Sequence, residues 1–202
     1  MFDARLRPLI DPPLTRMGAA LARLGVSANA MTVTGFCLGL GAALAVVFGQ
    51  FLLAFALVVL NRLADGLDGA IARATRKTDL GGYLDIVLDF VFYGALPFGF
   101  ALHDPASNAL AAAALLFSFY ANGSAFLAYA IMAAKRGQTT AAQGTKSLYY
   151  LTGIAEGAET IGLFLVMCLW PAGFAWLAWG FAAICFVSAA ARIVLAGATL
   201  KT

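Results

Sequence analysis

The sequence predicts an all-α integral membrane protein of six transmembrane helices, preceded by an amphipathic juxtamembrane helix. Three observations carry this. The 202 residues are 62% hydrophobic and only 11% charged, with a mean hydropathy of +0.88, which no ordinary soluble domain matches. Apolar runs of about 20 residues, the length needed to cross a bilayer's hydrocarbon core, recur along the chain. Lysine and arginine gather at alternate links between those runs, as the positive-inside rule requires of a chain that threads back and forth.

Residues 1–28 form the juxtamembrane segment. Arg5, Arg7, Arg16 and Arg23 are spread through it and Pro8, Pro12 and Pro13 interrupt it, so it is not a signal peptide. Asp11 is placed to cap a helix whose first positions are Pro12 and Pro13, and Gly25 to end it. Leu14, Met17, Leu21 and Leu24 repeat at spacings of three and four, with Arg16 and Arg23 well off that stripe. Such a helix suits an anionic cytoplasmic leaflet, or the cytoplasmic end of a helix bundle, or both.

Residues 29–202 form one membrane domain, with spans expected over 29–49, 51–75, 80–103, 107–135, 146–170 and 172–198. The links near Gly49-Gln50, His103-Asp104-Pro105 and Trp170-Pro171 contain no Lys or Arg, whereas Arg76, Lys77, Lys135, Arg136, Lys146 and Lys201 fall on the other side. Both termini are therefore expected in the cytoplasm. The stretch 136–145 is the longest polar link. Cys37, Cys168 and Cys185 sit in apolar runs at no metal-ligand spacing and read as small buried hydrophobes. His103, the single histidine, lies at an outer helix end. With no basic aromatic stripe, nucleic-acid binding is excluded from the expectations.

Four carboxylates break the apolar pattern. Asp65 and Asp68 are spaced i,i+3 in the second span, and Asp85 and Asp89 i,i+4 in the third, so each pair shares a helix face. An acid at bilayer depth costs roughly 2.5–3.5 kcal/mol on insertion scales, and four cost on the order of 10 kcal/mol, so compensation by a cation is expected. The basic link Arg76-Lys77-Thr78 makes the two helices antiparallel neighbours. At 1.5 Å per residue, both pairs then lie roughly 15 Å below the same cytoplasmic surface. Gly69 and Ala72 extend the first stripe, Arg73 continues it toward the link, and Gly81 lies one turn before Asp85.

The run Asp65-x-x-Asp68-Gly69-x-x-Ala72-Arg73, followed by Gly81-x-x-x-Asp85-x-x-x-Asp89, resembles the signature of the CDP-alcohol phosphotransferases, integral membrane enzymes of phospholipid synthesis. Seven residues separate Arg73 from Gly81, where the family pattern has eight, and the shortfall falls in the link. The resemblance implies transfer of a substituted phosphate from a CDP-linked donor, CDP-diacylglycerol above all, to the hydroxyl of a small alcohol, with release of CMP. It implies Asp65, Asp68 and Asp85 as metal ligands, and Asp89 as general base with a metal contact of its own. Asp65, Gly69, Ala72, Arg73 and Gly81 are implied as the nucleotide-binding surface. Carboxylates suit Mg²⁺ or Mn²⁺, and four at one depth have room for two ions. A homodimer through Gly- and Ala-rich faces is a further implication.

Outside the signature, Glu156 and Glu159 in the fifth span and Arg192 in the sixth come to a similar depth. They read either as an ion pair holding two helices in register or, with Lys135, as a wall of the acceptor pocket. Tyr149 and Thr152 continue the Glu stripe. Asn122, Gly123 and Ser124 read as helix-packing residues. Two other functions use intramembrane acids. A cation carrier leaves Gly69, Ala72 and Arg73 unexplained, and a membrane prenyltransferase calls for more spans and a different spacing.

Overall fold

The computed structural model describes residues 3–137 and 157–200, which are helical throughout apart from short links. Helix α1 is Asp3–Arg23, α2 Ala28–Val47, α3 Phe51–Ala74, α4 Asp79–His103, α5 Pro105–Lys135, α6 Gly157–Leu169 and α7 Phe174–Thr199, the last entered through a 3₁₀ turn, Pro171–Gly173. Among the described residues, four stretches are long and apolar enough to cross a membrane: Ala28–Val47, Asp79–His103, Pro105–Lys135 and Pro171–Thr199. Helix α3 has the length, 24 residues, but carries Arg62, Asp65 and Asp68. Of the expected fifth span, the 13 residues of α6 lie in the described region. Lys146, Tyr149, Thr152, Glu156 and most of the 136–145 link fall outside it.

Local chemistry sets the boundaries. The Ser27 hydroxyl accepts the Ala30 N–H at 3.2 Å to start α2, and the Thr78 hydroxyl accepts the Gly81 N–H at 3.0 Å to start α4. Asp104 accepts the Ser107 N–H at 3.2 Å, with Pro105 as the first residue of α5. Hydrogen bonds from the Ser107 side chain and then its backbone N–H hold the Asp104 carboxyl below its ordinary range. Gly25 (φ +83°) and Gly49 (φ +71°) supply the left-handed turns after α1 and α2. One boundary differs from expectation: α1 begins at Asp3, not after a cap at Asp11. Prolines lack an N–H for the residue four back, but their fixed φ of about −65° is itself helical, so the helix continues through Pro8, Pro12 and Pro13.

Cross-helix contacts give the topology. Arg62 meets Asp89 and the Asp65 carboxylate approaches that of Asp85, so α3 and α4 are antiparallel. Gly39 faces Phe92 and Ala43 faces Gly99, so α2 runs parallel to α4. Asn122 pairs with Arg192, and Tyr129 lies 3.3 Å from Thr199, so α5 runs parallel to α7. Lipid tails are as apolar as leucine, so such helices are held by close packing and polar contacts rather than by a hydrophobic driving force. Small residues provide that packing. A Cβ at Gly99 would sit 2.7 Å from the Ala43 carbonyl oxygen, and one at Gly39 2.6 Å from the Phe92 ring. In the core, Phe100 stacks on Phe174 at 4.4 Å between ring centres, and Phe92 meets Phe164 edge-on. Helix α1 lies on α3 through Gly18 against Ala70 and Leu14 against Gly66. Met17 and Leu24 of its apolar stripe stay exposed beside Arg16 and Arg23.

Candidate active site

The antiparallel α3–α4 pair delivers the aspartates to one place. Asp65, Asp68 and Asp85 each offer a carboxylate oxygen, and these oxygens lie within 4.8 Å of one another. Asp68 is 7% exposed, and its Oδ2 is buried with no hydrogen-bond partner among the described residues. An unpaired buried carboxylate oxygen is costly. The trio fits a hard divalent cation, since ligand oxygens around an octahedral Mg²⁺ at about 2.1 Å are separated by roughly 3–4 Å. These are the residues that would hold one.

Asp89 lines the same cleft as the trio but is otherwise engaged. Its Oδ1 accepts from Arg62 Nη2 at 2.7 Å, while its Oδ2 accepts from Arg62 Nη1 at 3.4 Å and from the Tyr93 hydroxyl at 3.2 Å. Arg62 Nη1 is also 3.5 Å from Asp65. The guanidinium is anchored from behind, where Nε donates to Asn61 Oδ1 at 2.7 Å and the buried Asn61 amide donates to the Gly35 carbonyl at 2.8 Å. Its carbon lies 5.3 Å from the centre of the Phe92 ring and 5.9 Å from that of Tyr93. Sequence reasoning passes over Arg62, Asn61 and Tyr93. A signal is present for two of them: Arg62 precedes Asp65 by three residues and Tyr93 follows Asp89 by four, so both continue the aspartate stripes.

The remaining site candidates divide by position. Gly69 lies over Arg73, where an added Cβ would come 3.3 Å from Nη1, and Gly81 faces Thr78 and Asn29. Arg73 is exposed at the link end of α3, and Gly69 and Ala72 are half-buried above the trio. Lys135 is exposed at the end of α5. Arg192 is buried and turned toward α5, donating to the carbonyl and side-chain oxygens of Asn122 at 3.2 and 3.0 Å and lying over the Phe126 ring. Glu159 is half-buried on α6. None of these three lines the aspartate cleft. His103 packs edge-on against Phe51 at the opposite end of the bundle.

Residues 25–196 match the sequence profile of the CDP-alcohol phosphatidyltransferases. The chain belongs to that family. As a CDP-alcohol phosphatidyltransferase family member it is an integral membrane protein of the transferase class. Its likeness to the inner membrane protein YnjF of Escherichia coli K12 extends over its whole length: 46% identity across 202 residues, 100% of this chain and 98% of the relative. An archaetidylinositol phosphate synthase of Pyrococcus horikoshii is 37% identical over 100 residues, 49% of this chain and 53% of that protein. The fold resembles that of Mycobacterium tuberculosis phosphatidylinositol phosphate synthase (PgsA1), solved with CDP-DAG bound. The TM-score is 0.71 at 22% identity, covering 89% of this chain and 91% of the other.

Proposed function

We propose that this chain transfers the phosphatidyl group of CDP-diacylglycerol to the hydroxyl of a small alcohol, releasing CMP. The observation that carries the reading is the convergence of Asp65, Asp68 and Asp85 beside Asp89 in one cleft, in a chain of the CDP-alcohol phosphatidyltransferase family. The acceptor oxygen bonds to the phosphorus that bears the diacylglycerol. The bond from that phosphorus to the bridging pyrophosphate oxygen breaks, its electron pair and that oxygen leave with CMP, and the hydroxyl proton passes to Asp89. A divalent cation, Mg²⁺ or Mn²⁺, held by Asp65, Asp68 and Asp85 supplies charge neutralisation at the pyrophosphate. Arg62 and Tyr93 fix the Asp89 carboxylate in direction, and orientation is a large part of what a general base contributes. Gly69, Ala72, Arg73 and Gly81, with Asp65, form the surface for the cytidine nucleotide, Arg73 meeting its phosphates from the water side.

The site lies within the bilayer because the donor does. Acyl chains stay among the helices while the headgroup meets a water-soluble acceptor. We infer six spans, with α3 crossing despite its charges because it packs against α1, α2 and α6. The parallel pairing of α2 with α4, and of α5 with α7, supports a chain that alternates direction with both termini and the cleft facing the cytoplasm. The test is CMP release by purified protein in liposomes containing CDP-diacylglycerol and Mn²⁺ or Mg²⁺, with one acceptor added at a time. Relatives named for archaetidylinositol phosphate and phosphatidylinositol phosphate synthesis put inositol phosphate first, then glycerol 3-phosphate, inositol, serine and ethanolamine. Acceptor-dependent CMP is expected with one of the five. Release with none of them, from protein that binds no CDP-linked donor, overturns the proposal.

A further inference from the structure

The four signature aspartates are not equivalent. Three present oxygens to a common point, and the fourth is held by an arginine. A pair of metal ions about 3.5–4 Å apart needs carboxylates free to reach both. Asp89 is not free in that sense. A carboxylate offers about four lone-pair positions, and Arg62 Nη2, Arg62 Nη1 and the Tyr93 hydroxyl occupy three of them. Asp65 also feels the same cation, at 3.5 Å.

Arg62 is built into the place it occupies. Its Nε is fixed by Asn61, whose side chain is 2% exposed and tied to the Gly35 carbonyl on α2. Phe92 and Tyr93 of α4 cover its carbon face. A guanidinium is charged at all accessible pH and matches a carboxylate in fork geometry, so its positive charge neither dissociates nor depends on ion concentration. A mobile second cation at the same point would have to displace a covalently tethered one.

We propose that Arg62 stands where a second divalent ion would sit, so that the cleft takes one divalent ion, on Asp65, Asp68 and Asp85, instead of the two that four aspartates suggest. The inference rests on the reading of the trio as a cation site and specifies how many ions it takes. Arg62 thus acts as a fixed cation on the Asp89 side of the cleft, orienting that carboxylate while the exchangeable ion serves the other three.

The test is Mn²⁺ binding to the purified, substrate-free protein in detergent, counted by electron paramagnetic resonance and by calorimetry. One ion per chain is expected in the wild type. Asp89→Asn should keep that ion with its affinity changed less than about 3-fold, whereas Asp68→Asn should weaken it roughly 10- to 100-fold or more. Arg62→Met should admit a second ion and Arg62→Lys should not. Two ions in the wild type, or equal loss in Asp89→Asn and Asp68→Asn, overturns the inference even if Arg62→Met fails to fold. No ion bound in the wild type overturns instead the reading of the trio beneath it.

Discussion

Replacing Asp68 by asparagine keeps the side chain's shape and removes its charge, so it separates chemistry from packing. Asp68 is the buried member of the trio, and Asp68→Asn is expected to abolish acceptor-dependent CMP release while the protein still folds in membranes. Asp89→Asn should also fold and lose roughly 10²–10⁴-fold in kcat, the range of a general base, with donor binding retained. Equilibrium binding of a CDP-linked donor alongside turnover distinguishes the two losses. Behind them stands Asn61, whose amide links Gly35 to Arg62. Asn61→Ala leaves a buried carbonyl and a guanidinium N–H short of a partner, at about 1–3 kcal/mol. It is expected to lower both thermal stability in detergent and kcat. A variant equal to wild type in both would remove Arg62's anchoring from the account. The aspartates were legible in the sequence because a charge inside an apolar run is conspicuous and their spacing assigns a face. Arg62 was harder to see: a charge in the same run gives no sign of its partner on another helix, and the fold brings it against Asp89 on α4.

At the scale of elements, the site depends on how closely α2, α3 and α4 approach. Gly99 meets the backbone of Ala43, and a backbone carbonyl cannot rotate away as a side chain does. Gly99→Ala is therefore expected to destabilise by about 1–3 kcal/mol through overpacking, seen as a lower unfolding temperature. An unchanged temperature would show that α2 and α4 are looser than the contact implies. Helix limits were legible to within a few residues, because apolar length, caps and turn glycines are local signals: the expected spans 51–75 and 80–103 correspond to Phe51–Ala74 and Asp79–His103. The start of α1 was not, since Asp11-Pro12-Pro13 is a good local start signal that the preceding helix overrides. Partners across helices were also hidden. Arg192 donates to Asn122 across the contact between α5 and α7, and depth alone does not specify which helices adjoin. Helix α5 adjoins α7 along its length, and Asn122 is what α5 places there.

For the molecule as a whole, alternation of direction makes a topological prediction. In a Cys37→Ser background, Gln50→Cys should react with a membrane-impermeant maleimide in intact spheroplasts. Lys77→Cys should react only in inverted vesicles. The reverse pattern would turn the cleft to the outer face and away from the cytoplasmic nucleotide that the mechanism needs. Fold class was readable from composition because of what a bilayer forbids, and the family from eight residues in order. The acceptor was not readable, since no position of the signature specifies it.

The central claim is that the aspartate cleft performs acceptor-dependent release of CMP. The most direct measurement compares wild type and Asp68→Asn in the same liposomes, with CDP-diacylglycerol and the acceptor that the panel selects, in Mn²⁺ and after chelation. The account predicts CMP release from the wild type in Mn²⁺ alone, with both the variant and the chelated enzyme at background. Equal CMP release from wild type and Asp68→Asn would contradict it.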